Sequence, residues 1–154
     1  MNLFQKLMAT PDTLGPLFVR VCLGIVLFPH GMQKLLGWYG GPGFSETMAF
    51  FMGEMHINVV VAFVIIVLES IGSIALIFGF ATRIVALGYA GLVMGIVIMV
   101  HWQYGFFMNW YGDKPGEGIE YFIFWFGMAV SLVFSGGGSW SADRLINKHL
   151  IRKA

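Results

Sequence analysis

The sequence predicts an all-α fold, in which a single domain, residues 1–154, forms a bundle of four transmembrane helices. Hydrophobic residues make up 58% of the chain and charged residues only 11%, far less charge than a soluble domain of this length carries. The apolar residues fall into four blocks, each near the roughly 17–25 residues that cross a bilayer as a helix. Polar and apolar residues alternate too weakly in these blocks for the strands of a membrane barrel. Helices are then the remaining structure that satisfies the backbone hydrogen bonds in lipid. The predicted spans are about 14–37, 57–80, 84–103 and 119–135.

Lysine and arginine residues are distributed unevenly between the two sides of this bundle. Four spans place both termini on one side, and the opposite loops carry only Lys34 and Lys114. By the positive-inside rule, both termini are predicted to be cytoplasmic. This orientation explains the basic tail, so the net charge of +1 indicates no nucleic-acid partner, and the lipid bilayer is the predicted partner. The basic residues on the cytoplasmic side are Lys6, Arg83, Arg144, Lys148, Arg152 and Lys153.

Two segments outside the spans are predicted to be amphipathic helices. Residues 44–55 carry apolar side chains close to helical spacing, which predicts a short helix on the outer interface. Residues 141–153 predict a cytoplasmic tail helix with Ser141 as its N-cap and Asp143 in its first turn.

The outer loop between the last two spans, residues 104–118, is unusually aromatic. Tryptophan and tyrosine residues are typical of the belt at a membrane interface, which is one interpretation of this loop. The other interpretation is that the aromatic side chains bind a flat ligand or a partner.

Glycine residues recur on shared helix faces. Gly24 and Gly31 share a face of the first span, and Gly88, Gly91 and Gly95 share a face of the third. Small residues at these spacings let helices approach closely. They predict tight packing inside the bundle and leave an oligomer open as the alternative.

The chain lacks the motifs of several function classes. Its single cysteine, Cys22, cannot form an intramolecular disulfide or a CxxC pair, which excludes the chemistry of membrane disulfide oxidases. The sequence contains no phosphate-binding loop, nucleophile elbow or dinucleotide fingerprint. Closely spaced ligands for a structural metal are also missing, so no metal site is predicted. The absence of an internal repeat disfavours a small transporter.

Charged residues within spans are costly, and they are therefore the first functional candidates. At about 1.5 Å per residue, Arg20 lies about 9 Å above the cytoplasmic boundary and Glu69 about 15 Å above it. Arg83 stands at the boundary itself. The sequence predicts a buried ion network of Arg20 and Glu69 with Arg83 nearby, whose role is structural or that of a proton relay.

A second group of ionisable residues lies near the outer face. His30 and His101 are at matched heights of about 24 and 26 Å, while Lys34 and Glu120 lie at the outer boundary. Pro29 is predicted to interrupt the first helix just before His30. Imidazole and ammonium groups bind carbonyl oxygens and a carboxylate carries protons, so the four residues predict a pocket for a quinone head group. Ligation of a b-type haem by His30 and His101 is the alternative.

Several motifs occur in a fixed order along the chain. The first span contains Arg20, a glycine and then HGMQK, and the second reads LESIGSIALIFGFATR. The segments HWQYGFF, GEGIEYF and SGGGSWSADRLI follow. Together, from Arg20 to about Ile146, they resemble the DoxX family of membrane proteins.

The resemblance implies a four-helix membrane bundle in a bacterial inner membrane. Members of the family are subunits of a quinol oxidase and of thiosulfate:quinone oxidoreductase, or associate with other redox enzymes, and the broader group includes assembly factors. We therefore expect a small subunit of a quinone-linked oxidoreductase complex with membrane redox proteins as partners. The alternative is a non-catalytic accessory protein that docks a partner through its aromatic outer loops. By position, the resemblance selects Arg20, His30, Lys34, Glu69, Arg83, His101 and Glu120.

Overall fold

The computed structural model describes residues 3–152, with side chains described for residues 3–149. Lys153, counted above among the cytoplasmic basic residues, lies outside this range, as does the side chain of Arg152. Residues 3–152 contain helices and no β-strand. The helices are α1 (Leu3–Met8), α2 (Leu14–Leu36), α3 (Gly43–Gly53), α4 (Val59–Phe78), α5 (Thr82–Tyr104), α6 (Glu120–Ser135) and α7 (Ala142–Arg152).

Three helices, α2, α4 and α5, are long and apolar enough to cross a membrane. They coincide with the first three predicted spans to within two residues at each end. Helix α6 occupies the fourth predicted block but has only 16 residues. That length corresponds to about 24 Å, less than the roughly 30 Å of a bilayer core. It ends at Gly136, whose φ of 73° is a conformation that glycine adopts without strain.

The core lies where α2, α4, α5 and α6 meet, and it is built mostly from aliphatic side chains with Tyr89 and Trp125. A second, smaller cluster lies under α3, where Phe51 packs against Ala62 and Ile66 of α4. A helix, α3, is therefore present in the segment 44–55, where an interfacial helix was predicted. It also buries Phe51 and Thr47 against the bundle, so it is a packed element of the fold.

Helix α4 changes its hydrogen-bond pattern in the middle, where Leu68–Gly72 forms a π-helical turn. Such a turn disturbs the backbone ladder, and in an apolar environment its carbonyls need other donors. The Tyr89 hydroxyl donates to the Leu68 carbonyl at 2.8 Å, and the Ser73 hydroxyl donates to the Ser70 carbonyl at 2.7 Å. Side chains thereby stabilise the irregular turn at the centre of the bundle.

Helix α2 packs directly on this π-turn through Gly31. A Cβ atom at Gly31 would lie 2.2 Å from the Glu69 carbonyl oxygen, a distance that no side chain can occupy. Gly24, two turns earlier, is similarly close to the backbone of Ser73. The predicted close approach at both glycines is confirmed. The predicted interruption at Pro29 is wrong, because α2 continues through it from Leu14 to Leu36, packed against its neighbours.

The glycines of α5 behave differently from the prediction. A Cβ atom at Gly91 or Gly95 would meet nothing within 4 Å, so these residues leave open space where tight packing was predicted. Only Gly88 is in close contact, about 3.1 Å from the Leu68 side chain of α4. Leu68 fills the gap between the two helices at that level, and the space beyond it stays open.

The tail helix α7 is fastened to the end of the bundle. The Ser141 hydroxyl accepts a hydrogen bond from the Arg144 amide at 3.2 Å, which confirms Ser141 as the N-cap. The buried Asp143 carboxylate accepts the amides of Ala81 and Thr82 at 2.6 and 2.8 Å, and so caps the start of α5. One acidic side chain therefore joins α7 to the α4–α5 connection.

Replacing Gly31 by alanine is expected to destabilise the protein strongly, by about 3 kcal/mol or more, because the new methyl group overlaps the Glu69 backbone. Thermal unfolding in detergent, followed by circular dichroism, measures the change. Gly127→Ala is the matched control, since a Cβ at Gly127 meets nothing within 4 Å. Equal melting temperatures for the two variants would contradict the close contact.

Candidate functional site

An ion pair between Lys34 and Glu69 lies at the centre of the candidate site. The Lys34 Nζ donates to Glu69 Oε2 at 2.5 Å. The Glu69 side chain is only 5% exposed and that of Lys34 is 25% exposed. A carboxylate this deeply buried is stable as an anion only with such a partner. The partner is Lys34, which corrects the predicted pairing of Glu69 with Arg20.

Local structure explains why this pair forms. Lys34 lies one turn beyond Gly31, on the same face of α2, and Gly31 rests on the backbone of Glu69. The lysine side chain then has only to reach back along α2 to meet the carboxylate. The π-turn at Leu68–Gly72 is the feature that the depth estimate from sequence could not include.

Arg20 has a different role from the predicted one. It is 1% exposed, and its guanidinium donates to five backbone carbonyls at the end of α4 and in the loop before α7. Helix C-termini leave carbonyls without intrahelical donors, and a guanidinium offers five N–H groups. Arg20 is thus a structural clamp. Its acceptors are the carbonyls of Leu76, Ile77, Gly137, Ser139 and Trp140.

Arg83 also binds carbonyls and not the predicted carboxylate. Its Nη1 atom donates to Val133 and Phe134 at the end of α6, and its Nη2 atom donates to Ala9 at 3.0 Å. The predicted ion network of Arg20, Glu69 and Arg83 is therefore replaced by two separate arrangements. Both arginines donate hydrogen bonds to carbonyls at helix ends, and Glu69 pairs with Lys34 in the candidate site.

Two cavities adjoin the ion pair, and both are lined by Lys34 and Glu69. The smaller, which we term the head cavity, has a volume of about 220 Å³. The larger, which we term the chain cavity, has a volume of about 470 Å³ and lies between α4 and α5, below the end of α3. The head cavity is lined by Leu27, His30, Lys34, Glu69, Ile96, Tyr121, Phe122 and Trp125.

The head cavity contains a hydrogen-bond donor that sequence reasoning missed. The indole nitrogen of Trp125 is buried and has no hydrogen-bond partner among the described residues. Buried indole N–H groups normally have an acceptor, so this one is an unsatisfied donor in a wall of the head cavity, although the nitrogen itself is not exposed to the cavity. Tyr121 lies one turn earlier on α6 and lines the same cavity. In the sequence, Tyr121 and Trp125 are four residues apart and follow Glu120, a spacing that places both aromatic side chains on one helix face.

The predicted outer group of four residues is only partly brought together. His30 is exposed and lines the head cavity with Lys34, whereas His101 and Glu120 line neither cavity. The His101 Nδ1 donates to the Glu117 carbonyl at 2.8 Å, and its ring packs 4.3 Å from that of Phe122. His101 therefore lies behind one wall of the head cavity.

The arrangement favours binding of an uncharged polar ring. The ion pair carries no net charge, and the donors Lys34, Tyr121 and Trp125 lie around a small cavity with an acceptor in Glu69. Such groups bind carbonyl and hydroxyl oxygens, and Glu69 and Lys34 are able to exchange protons with them.

The sequence profile of the DoxX family matches residues 15–102. The chain is 36% identical over 96 residues to CatD of Bacillus subtilis strain 168, whose name assigns it provisionally to the oxidoreductases. That match covers 62% of this chain and 66% of CatD, just under two thirds of the relative. The inner membrane protein YqjF of Escherichia coli strain K12 is 28% identical over 144 residues, 89% of this chain and 95% of YqjF. No solved structure matches the chain. The apolar helices and these relatives indicate a multi-pass membrane protein.

A double-mutant cycle tests the ion pair. Lys34→Met leaves Glu69 buried without a partner and is expected to cost about 3 kcal/mol. The double variant Lys34→Met with Glu69→Gln should lose about 2 kcal/mol less stability than the two single variants lose together. The free energies of unfolding are measured by reversible unfolding in mixed micelles. The control cycle combines Lys34→Met with Glu120→Gln, whose effects should add. Additive effects of Lys34→Met and Glu69→Gln would contradict the ion pair.

Proposed function

We propose that this chain, which belongs to the DoxX family of membrane proteins, binds the head group of a quinone in its head cavity. The protein would then act as a small subunit of a quinone-linked oxidoreductase complex. The oxidoreductase name of CatD agrees with this function, and YqjF agrees with a location in the bacterial inner membrane.

The observation that carries the proposal is the buried Lys34–Glu69 pair, which adjoins both cavities. A buried ion pair is often no more stable than apolar packing would be in its place. One that also lies at the wall of a cavity, together with aromatic side chains, is suited to a ligand.

A bound quinone supplies reversible redox chemistry, taking up two electrons and two protons to become a quinol. Lys34 would donate a hydrogen bond to one carbonyl oxygen of the head group, and the indole N–H of Trp125, after a small shift of its side chain, to the other. Phe122 and Trp125 line the cavity that would hold the ring. Glu69 and Lys34 would each pass one of the two protons to or from the ligand oxygens. The two electrons are exchanged with a partner redox protein of the complex.

The proposal includes a topology of four transmembrane helices with both termini in the cytoplasm. Its support is the excess of lysine and arginine at the end of the molecule that contains Arg83, Arg144 and Lys148. In this orientation Lys34 and the head cavity lie in the outer half of the bilayer. Helix α6 crosses with the help of local thinning of the bilayer around its short apolar length.

Quinone binding is measured by quenching of tryptophan fluorescence on titration of the detergent-purified protein, and by solvent extraction of quinone that co-purifies. Lys34→Met is expected to weaken binding by roughly 10- to 100-fold, the value of a charged hydrogen bond of about 1.5–3 kcal/mol. Trp125→Phe, which keeps an aromatic ring and removes the N–H group, should weaken it by roughly 10-fold. Because Trp125 is also a fluorophore, its variant is assessed by extraction.

Lys148→Met is the control, since Lys148 is an exposed lysine of the tail helix and should not affect binding. Wild-type protein that binds no quinone, or equal binding by Lys34→Met, would contradict the proposal. A visible spectrum of the same sample tests the haem alternative. If the protein shows a haem Soret band, and the band is lost in both His30→Ala and His101→Ala, the ligand is haem and not quinone.

A second function, docking of a partner protein, is favoured by the shape of the outer loop. The Asn109 side chain bonds the backbone of Lys114 through both its oxygen and its nitrogen, at 3.1 and 2.8 Å. The Glu117 carboxylate accepts the Asn109 amide at 2.7 Å. These bonds fix a loop that presents Trp110, 77% exposed, and Tyr111, 92% exposed. Exposed aromatic residues on a fixed loop are typical anchors at protein interfaces.

Replacement of both Trp110 and Tyr111 by alanine is expected to remove partner proteins from affinity-purified complexes by tenfold or more, because two anchors of about 2 kcal/mol each are lost. Quantitative mass spectrometry of the affinity-purified complexes measures this loss. Trp140→Ala is the control, since Trp140 is 81% exposed at the opposite end of the bundle. If the loop variant keeps its partners and also its quinone, the docking function is refuted.

A further inference from the structure

We infer that the chain cavity holds the hydrocarbon chain of the ligand, so that the site selects a long-chain quinone over a quinone without a chain. This inference rests on the proposed function and deepens it. It concerns the chain cavity between α4 and α5, which a ring bound in the head cavity would leave empty.

The two cavities meet at the ion pair. Lys34, Glu69 and Ile96 line both of them. These three side chains separate the two cavities, so a ligand with its ring in the head cavity and its chain in the chain cavity would pass over them. At about 220 Å³, the head cavity is smaller than the roughly 300–1,000 Å³ of most sites for drug-sized ligands, so it suits a ring and little more.

The chain cavity has the composition that a hydrocarbon requires. At about 470 Å³ it falls within the usual range of ligand sites. Apart from the ion pair at one end, the residues that line it are apolar or glycine. Its lining includes Phe51 and Met55 from the α3 region, Val61, Val64 and Leu68 from α4, and Gly91, Gly95 and Met99 from α5.

Missing side chains on α5 create this space. A Cβ atom at Gly91 or Gly95 would meet nothing within 4 Å, so larger residues would fit the backbone at both positions. Helix packing therefore does not require glycine there, in contrast to Gly31. Because both residues line the chain cavity, a side chain at either position would take up room that the ligand uses.

The charge of the site distinguishes between amphipathic ligands. Lys34 and Glu69 together carry no net charge, so they provide no net attraction for the phosphate of a phospholipid. An uncharged polar ring with a single chain fits both the small head cavity and the apolar chain cavity. A long-chain quinone has this construction.

The test uses the full-length protein in detergent and two quinones with the same ring, one with a long isoprenoid chain and one without a chain. Affinities are expressed per mole of detergent, which corrects for partition into micelles. Wild-type protein is expected to bind the long-chain quinone at least tenfold more tightly. Gly95→Leu, which extends into the chain cavity, should remove that preference and leave binding of the chainless quinone unchanged.

Gly127→Leu is the matched control, because Gly127 on α6 has open space around it and lines neither cavity. Gly91→Leu fills the same cavity from another position and replaces Gly95→Leu if that variant does not fold. Equal wild-type affinity for the two quinones overturns the inference and leaves the proposed function intact. Binding of neither quinone overturns both. Loss of a co-purified phospholipid from Gly95→Leu, with quinone binding unaltered, also overturns the inference.

Discussion

The contact between Gly31 and the backbone of Glu69 is the constraint on which the site depends. It brings α2 against the π-turn of α4 with no side chain between them, and this places Lys34 beside a buried carboxylate. The pair then sets the boundary between the two cavities. A wider separation of α2 and α4 would leave the buried Glu69 carboxylate without its cation, which is costly in an apolar environment.

The two ends of the bundle solve different physical problems. At the end near α7, carbonyls left over from helix termini are satisfied by Arg20 and Arg83, and Asp143 satisfies the amides that begin α5. Hydrogen bonds from buried charged side chains hold this end together. Toward the other end, glycines and a π-turn leave space beside a single ion pair. Rigidity and room for a ligand are therefore separated along the bundle axis.

Much of the fold could be predicted from the sequence, and less of the site. Hydropathy predicted α2, α4 and α5 to within two residues, and local capping rules predicted Ser141. The depth of a residue along a span is one coordinate, however, and it leaves the rotation of each helix unknown. Arg20 and Glu69 are at compatible depths and still bind different partners. The π-turn and the inward position of Trp125 depend on contacts between helices, which no local pattern records.

The clamp at Arg20 has a consequence for the order in which the protein is made. Arg20 is within the first long helix to leave the ribosome, but three of its carbonyl acceptors belong to residues 137–140, synthesised more than 115 residues later. Until then the Arg20 guanidinium lacks most of the hydrogen bonds that offset its burial in lipid. For an arginine at the centre of a membrane helix, that burial costs about 2.5–3.5 kcal/mol. We therefore expect α2 to stay near water, or beside the insertion machinery, until residues 137–140 have been synthesised. These residues complete the clamp at Arg20, so a chain that ends before them cannot form the finished bundle.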